Sequence, residues 1–515
     1  MSSVAGTMDR DLSGLPAPAV GSHAARGAVW TFAFSLLGKV TTVGTQFVLA
    51  WLLVPEELGL VGLTLAVMNF TAVVGGGNLK SILVQRGNRF DEDAGHTFWL
   101  ALLLNALAAV LLAALSPVAG LLFKEPRVIL LLLVAAVALP IQSLNTIYVA
   151  ALHRDLRFGR VSGILFGASL IQNGSAVLLA AMGYGAISLV IPWTLNAAFM
   201  ALAFRFSAGR IAIGRLNVRR SLELCGPAGW LIVNGIFVAL LNSGANLAIG
   251  LIQHDSTVAG YYYWGASLSC QAVFLFVTNL QGVLFPVLTR LNLEPVRQLA
   301  GALNACRTLL AVAGPVCITQ ALLAGPAIRW LFDDRWQPAI GVVQWLSLGL
   351  ATQPLNVLAV ALLMAHGRFR QLAALNASIA GSVLLAAVIG AQTGGPSDIA
   401  RWTGPALLLS NFVAGLWVFR RFNAAWTQLG SIVLRPLVLT LAAGCAGLWI
   451  FRASGDLPAP VQMLAVALTC GSVTLLMGTL LLPSALAEIM GRLGRHRSGV
   501  PRPVISVPVS LAERR

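Results

Sequence analysis

Residues 29–69 read VWTFAFSLLGKVTTVGTQFVLAWLLVPEELGLVGLTLAVMN, and this stretch decides the fold. It holds two apolar runs that are separated only by the short segment Pro55-Glu56-Glu57. Roughly twenty apolar residues in a helix span the hydrocarbon core of a bilayer, and each run is about that long. The stretch therefore predicts two membrane-spanning helices joined by a tight turn.

The same pattern of apolar runs and short polar breaks continues along the chain. Of the 515 residues, 57% are hydrophobic and 10% are charged, whereas soluble domains are about a quarter charged. The runs are apolar on every side, which excludes the alternation of a membrane β-barrel. We predict an all-α integral membrane protein with about fourteen transmembrane helices. The predicted spans are Val29–Val54, Leu58–Val74, Phe98–Phe123, Val128–Leu152, Val161–Met182, Ala186–Phe204, Trp230–Ile252, Tyr261–Leu284, Leu309–Phe332, Ile340–Ala365, Leu372–Ala391, Gly404–Phe419, Leu437–Phe451 and Val461–Leu482.

The positive charges predict the orientation of the chain. Its net charge is +16, and with the N-terminus in the cytoplasm most of the 34 Lys and Arg residues fall in inner segments. The outer segments hold only Lys124, Arg127, Arg329, Arg335, Arg401 and Arg452. Cytoplasmic loops are enriched in Lys and Arg, so we expect both termini to be cytoplasmic. Nearly all these arginines then serve topology and lipid headgroup contact, and no nucleic-acid partner is expected.

The second half of the chain repeats the first. The stretch 142–160 (QSLNTIYVAALHRDLRFGR) aligns with 353–371 (QPLNVLAVALLMAHGRFRQ), and in a second register Gly59 aligns with Gly260. Both halves start on the same side, which predicts two pseudo-symmetric six-helix lobes related by an axis along the membrane normal, with a central cavity between them. The expected units are a cytoplasmic N-terminal tail 1–27, an N-lobe 28–206, a basic cytoplasmic linker 207–227, a C-lobe 228–421, a final helix pair 430–484 and a basic cytoplasmic tail 485–515.

Several kinds of chemistry are missing from the sequence. It has no G-x-x-x-x-G-K-[ST] phosphate loop, and no predicted span has Asp, Glu or His in its middle. A proton relay or a carboxylate that binds cationic drugs therefore has no residue to use. Glu56 and Glu57 are explained by the helix dipole at the start of the second span. We expect no catalytic residue, no cofactor and no metal site, so the chain is not predicted to be an enzyme.

One cation is left inside a span, and it is the first candidate binding residue. Lys39 lies within the first span, where an ammonium costs roughly 2.5–3.5 kcal/mol unless water, a partner or an anion surrounds it. An aqueous cavity with an anionic substrate is one interpretation, and snorkelling or contact with backbone carbonyls is the other. Further cations at the inner ends of spans would extend a positive cavity: Lys80, Arg86, Arg205 and Arg290.

Two repeated amides are weaker candidates. Asn145 and Asn356 occupy equivalent positions within hydrophobic helices. An unpaired amide is costly there, so such side chains bond to a neighbouring helix or line a polar cavity. Both interpretations stay open for these two residues.

The first two helices and their turn, with Pro55-Glu56-Glu57-Leu58-Gly59, resemble the polysaccharide transporter family of Wzx-type lipid-linked oligosaccharide flippases. That family belongs to the multidrug/oligosaccharidyl-lipid/polysaccharide exporter superfamily. The resemblance implies a bacterial inner-membrane protein that moves an undecaprenyl-pyrophosphate-linked oligosaccharide for exopolysaccharide, capsule or O-antigen (lipopolysaccharide) biosynthesis.

The same resemblance implies the partners and the rival functions. The implied partners are the lipid-linked oligosaccharide, membrane lipids and other glycan-assembly proteins, and Lys39 matches a first-helix cation that would bind the pyrophosphate. A multidrug antiporter or a lipid II flippase of the same fold is the alternative. A membrane glycan polymerase or ligase is a further one, and it would require essential acids in the outer loops.

Overall fold

The computed structural model describes residues 17–75, 90–154, 157–209, 229–271, 273, 294–455 and 457–481. Helices dominate these ranges, and a single 3₁₀ turn covers Asp334–Trp336. In chain order the helices are α1 Ala17–Leu52, α2 Pro55–Val74, α3 Phe90–Leu122, α4 Arg127–Arg154, α5 Phe158–Ala181, α6 Ile187–Ala208, α7 Gly229–Ile252, α8 256–271, α9 Pro295–Leu331, α10 Ala339–Leu350, α11 Gln353–Ala365, α12 Phe369–Thr393, α13 Pro396–Arg421, α14 Trp426–Ala453 and α15 Ala459–Leu481.

The predicted fold class is confirmed. Within the described ranges, 12 helices are long and apolar enough to cross a membrane, and α10 with α11 brings the number to 13. The described part of α8 contains the beginning of the predicted span Tyr261–Leu284, and the rest of that span lies largely outside the described residues. The chain is thus a multi-pass helical membrane protein with about fourteen spans.

The predicted span Ile340–Ala365 is not one straight helix. Helices α10 and α11 meet at an angle of 47°, and α10 ends at Leu350. The nitrogen of Pro354 carries no hydrogen, so it cannot donate to the Leu350 carbonyl, and a helix breaks at such a point. The predicted span thus corresponds to a bent pair of helices, and the bend was not predicted because mean hydropathy does not register a proline.

The sequence repeat corresponds to a repeated backbone. Helix α4 ends at Arg154 and α5 begins at Phe158, and at the aligned positions α11 ends at Ala365 and α12 begins at Phe369. The residues before α5 and α12, Arg157 (φ −82°, ψ 47°) and Arg368 (φ −81°, ψ 57°), have nearly the same conformation. Equivalent turns therefore join equivalent helices in the two halves.

The helices form two lobes and a docked pair. In the N-lobe, α2 and α3 pack on α4, α4 packs on α6, and α5 packs on both α6 and α1. In the C-lobe, α7 packs on α12, α12 on α13, and α13 on α10 and α11, with α9 against α10 and α11. The last two helices, α14 and α15, pack on each other and on α9. Direct packing of α2 on α7 joins the two lobes.

The turn between α1 and α2 shows why the second helix starts where it does. Pro55 occupies the first turn of α2, where its missing N–H costs nothing. Glu57 accepts a hydrogen bond from the backbone N–H of Val54 (3.2 Å), and Glu56 forms an ion pair with Arg127 at the start of α4. Negative side chains at this position favour the helix dipole, which confirms the helix-start role predicted for both acids.

Candidate functional site

The two lobes meet most closely where α2 crosses α8. A Cβ placed on Gly59 would lie 1.7 Å from the carbonyl oxygen of Ser256, and one placed on Gly260 would lie 1.7 Å from the carbonyl oxygen of Pro55. Only glycine allows two helix backbones to come this close. The turns that lead into α2 and α8 lie at the same end of the helix bundle as this crossing. We call this end of the bundle the closed end.

A reciprocal pair of indole hydrogen bonds fastens the lobes beside this crossing. Trp336 Nε1 donates to the Ala50 carbonyl in the last turn of α1 (2.9 Å). In return, Trp51 Nε1 donates to the Leu331 carbonyl at the end of α9 (2.8 Å). Carbonyls in the last turn of a helix lack intrahelical partners, so each bond satisfies an acceptor that its own helix leaves open.

Aromatic rings fill the space around these bonds. The ring centroids of Trp264 lie 4.4 Å from Trp336 and 5.1 Å from Phe332, and Trp336 is completely buried. We refer to Trp51, Trp264, Phe332 and Trp336 together as the closed-end seal. Farther along the same interface, Asn69 of α2 donates to the Ser243 hydroxyl of α7 (2.8 Å).

Lys39 lies on the side of α1 that faces the second lobe. Its side chain is half-buried. One turn farther along the same face of α1, Val43 borders a cavity that Leu268 of α8 also lines. On α1, Lys39, Thr42 and Gln46 follow one another at steps of three and four residues, which places them on one face of the helix. This face forms a polar strip from Lys39 towards the closed end.

A large apolar cavity lies between α1, α8, α9 and α15. Its volume is about 710 Å³, and its walls include Val43 and Phe47 of α1, Leu268 of α8, and Met463 and Leu475 of α15. Because α15 forms one wall, the C-terminal helix pair takes part in this cavity. Its chemistry suits an aliphatic chain.

A second, smaller cavity lies on the N-lobe side of α8, and we call it the amide pocket. Its volume is about 170 Å³. The polar and aromatic residues that line it are Thr42, Thr45 and Gln46 of α1, Gln172 and Asn173 of α5, Trp193 of α6, and Tyr263, Trp264 and Ser267 of α8. None of the described residues around it is Asp, Glu, Lys or Arg.

The other predicted site residues are distributed as follows. Arg205, at the end of α6, is exposed, donates to the Gly209 carbonyl (3.3 Å) and stacks over the ring of Tyr148. The buried amide oxygens of Asn145 and Asn356 have no hydrogen-bond partner in the described part of the chain. Neither residue borders the two cavities above. Three predicted residues lie outside the described residues: Lys80, Arg86 and Arg290.

Inspection of the sequence missed the residues of the amide pocket. Gln46, Gln172 and Asn173 lie within apolar spans, and polar residues in such positions are rare and often functional. That signal was present in the sequence. The contribution of α8 was not visible, because Tyr263 and Trp264 reach this pocket only through packing of the two lobes.

Comparison with known proteins identifies the family. The family model of the polysaccharide biosynthesis protein matches residues 48–341, which is more than half of the chain. This chain belongs to that family. The resemblance noted in the first two helices is thereby confirmed.

Two relatives of this chain are a transport protein and a biosynthesis protein. It is 26% identical over 336 residues to the succinoglycan biosynthesis transport protein ExoT of Rhizobium meliloti, an alignment that spans 62% of this chain and 66% of ExoT. Slightly less than two thirds of that relative is thus matched. It is 21% identical to the teichuronic acid biosynthesis protein TuaB of Bacillus subtilis, over 76% of this chain and 81% of TuaB.

Solved structures with the same fold are transporters. The lipid II flippase MurJ, in an inward closed conformation, superimposes with a TM-score of 0.68 and 15% identity, over 91% of this chain and 100% of MurJ. A multidrug resistance MATE family transporter of the MOP superfamily, in an inward-facing conformation, gives a TM-score of 0.59 and 15% identity, over 77% and 98% of the two chains. At such identities the likeness concerns the fold alone.

Proposed function

We propose that this protein moves an undecaprenyl-pyrophosphate-linked oligosaccharide across the bacterial inner membrane by alternating access. The product would enter exopolysaccharide, capsule or O-antigen assembly, together with other glycan-assembly proteins. Membership of the polysaccharide biosynthesis family and the relationship to ExoT support a glycan as cargo. The two-lobed fold supports movement by reorientation of the lobes.

The position of Lys39 carries this proposal. It is a cation within a span, and it lies one turn before Val43, which borders the apolar cavity together with Leu268 of α8. An anion that enters between the lobes would meet this ammonium in a region of low dielectric, where charge attraction is strong. The pyrophosphate of a lipid-linked glycan is such an anion, and the neighbouring apolar cavity suits part of its prenyl chain.

The direction of transport follows from the charges at the two ends. In the described part of the chain, the closed end holds six basic residues: Lys124, Arg127, Arg329, Arg335, Arg401 and Arg452. The opposite end holds a larger set, which includes Arg157, Arg160, Arg205, Arg297, Arg368, Arg370, Arg420 and Arg421. By the positive-inside rule the opposite end faces the cytoplasm. The substrate would therefore enter from the cytoplasmic side, while the closed end faces outward.

Replacement of Lys39 tests the proposal. A strain without the gene should lose export of its glycan, and the wild-type gene should restore it. The substitutions Lys39→Gln and Lys39→Ala should not restore export, whereas Lys39→Arg should restore part of it, because it keeps the charge. The measurement is surface glycan at equal protein levels in the membrane. Full export with Lys39→Ala would refute the role of this residue.

The alternative functions make different predictions. A multidrug antiporter would change the drug sensitivity of the null strain, and a lipid II flippase would be needed for viability. A membrane polymerase or ligase would need acids of the outer turns, among them Glu56, Glu57, Asp333 and Asp334. Normal drug sensitivity, a viable null strain and retained export after replacement of these acids would together favour the glycan transporter.

A further inference from the structure

The amide pocket has unused hydrogen-bonding groups in its wall. Trp264 is 2% exposed, yet its indole N–H has no hydrogen-bond partner among the described residues. The buried amide oxygen of Gln46 likewise has none in the described part of the chain. A buried polar group without a partner costs about 1–3 kcal/mol. The residues that line the pocket therefore include one donor and one acceptor that the described part of the chain leaves unpaired.

The other polar side chains of the pocket are held in place by one another. Asn173 donates to the hydroxyls of Ser169 (3.1 Å) and Thr42 (3.4 Å). Gln172 accepts a hydrogen bond from the amide of Asn196 (2.6 Å). These bonds tie α5 to α1 and to α6, so the amides reach the pocket with fixed orientations. Preorganised groups lose little entropy when they bind a ligand.

We propose that the amide pocket binds one neutral sugar ring of the lipid-linked substrate, the ring attached to the pyrophosphate. This inference rests on the proposed function. Sugar hydroxyls both donate and accept hydrogen bonds, and amide and hydroxyl side chains offer both roles. The apolar face of a pyranose packs against an aromatic ring, and the partly exposed rings of Trp193 and Tyr263 supply such surfaces.

The size and charge of the pocket restrict what it binds. A volume of about 170 Å³ accepts one sugar ring and not a chain of them. Because the described lining carries no charged side chain, no group is present there to neutralise a pyrophosphate or a uronic acid carboxylate, and burial of an unpaired charge is costly. A neutral hexose fits both restrictions.

The position of the amide pocket relative to Lys39 determines the orientation of the bound substrate. Gln46 lies two turns beyond Lys39 on the same face of α1, which is about 10 Å along the helix axis. A pyrophosphate at Lys39 and the sugar ring bonded to it would cover this distance. The sugar would then point towards the closed end, ahead of the pyrophosphate.

A binding experiment with two probes tests this inference. The full-length protein is placed in lipid nanodiscs, and Kd is measured for undecaprenyl pyrophosphate alone and for the same lipid carrying a single glucose or galactose. The wild-type protein should bind the glycosylated lipid at least about ten times more tightly, because several hydrogen bonds are added. In the variant Gln46→Leu, the Kd for the glycosylated lipid should rise about 3- to 10-fold, which corresponds to the loss of one hydrogen bond.

Controls separate the pocket from general effects. Gln46→Leu should leave binding of undecaprenyl pyrophosphate unchanged, which also shows that the variant is folded. Trp193→Ala, which removes a stacking ring, should also weaken binding of the glycosylated lipid and leave binding of undecaprenyl pyrophosphate unchanged. Gln392→Leu is the matched control, because Gln392 is exposed at the end of α12, and it should change neither Kd. Lys39→Gln should weaken both lipids by the same factor.

The outcomes distinguish this inference from the proposed function. Equal affinity of the wild type for both lipids, or an unchanged sugar gain in both Gln46→Leu and Trp193→Ala, would overturn the sugar subsite while leaving the flippase proposal intact. A lipid carrying glucuronic acid that binds as tightly as the glucose lipid would also overturn the neutral pocket. Binding of neither lipid by the wild type would instead refute the proposed function itself.

Discussion

Substitution of Gly59 by alanine should open the closed end. The new Cβ would lie 1.7 Å from the Ser256 carbonyl oxygen and 2.8 Å from the Gly260 nitrogen. Favourable contacts between heavy atoms lie near 3.5–4.0 Å, so α2 and α8 would have to separate by roughly 1.5–2 Å. Overpacking of this kind costs about 1–3 kcal/mol. The strain exists only while the lobes touch, so the ratio of closed to open molecules should fall roughly 5- to 150-fold.

Distances between spin labels measure this change. In a cysteine-free background, labels at Met182 of the N-lobe and Gln392 of the C-lobe, both exposed at the closed end, report the separation of the lobes. Gly59→Ala should shift the distribution to longer distances. Gly62→Ala should shift it less, because its Cβ would meet only the side chain of Tyr263 at 3.1 Å. Gly44→Ala, with no atom within 4 Å, should not change it.

A distribution for Gly59→Ala that matches the wild type would refute the argument. It would mean that α2 and α8 do not hold the closed end together. Unequal effects of Gly59→Ala and Gly260→Ala would refute a weaker point, that the two glycines play equivalent parts at the crossing.

Two further predictions concern hydrogen bonds between the lobes. Trp336→Phe keeps a ring in the closed-end seal but leaves the Ala50 carbonyl without its donor. The stability of the folded protein should therefore fall by about 1–3 kcal/mol. An unchanged melting temperature in nanodiscs would contradict this prediction. Asn69 and Ser243 are bonded across the interface, so a double-mutant cycle of Asn69→Ala and Ser243→Ala should give a coupling energy near 0.6 kcal/mol, the average for such bonds in membranes. Additive effects of the two substitutions on unfolding would exclude that bond.

Much of the fold could be predicted because the bilayer imposes strong rules on sequence. A span needs a long apolar helix, so the runs themselves locate most of the helices. The repeat of 142–160 at 353–371 corresponds in the structure to matching turns before Phe158 and Phe369. Pro354 was also present in the sequence, but the span was predicted from its length and hydropathy, and neither quantity indicates a bend.

The site was harder to predict because its residues come together only when the lobes pack. Lys39 was conspicuous in the sequence as a charge inside a span, and its role in binding stays a prediction. Tyr263, Trp264 and Trp336 belong to segments far from α1 in sequence, and nothing in the local sequence predicts their contacts across the two lobes. Gln46 and Asn173 were individually conspicuous as polar residues in apolar helices, yet their common pocket depends on the packing of α1 against α5.

The crossing of α2 and α8 also bears on how such a chain arises. Gly59 and Gly260 are repeat equivalents that touch each other, and Gly62 likewise faces its own equivalent, Tyr263. A residue meets its own copy only on a two-fold axis, as in an isologous dimer. A half-length ancestor that paired with itself would have made this contact before duplication fused the two copies. The equivalent positions 62 and 263 now differ, so Tyr263 lines the amide pocket with an aromatic ring while Gly62 has no side chain to present.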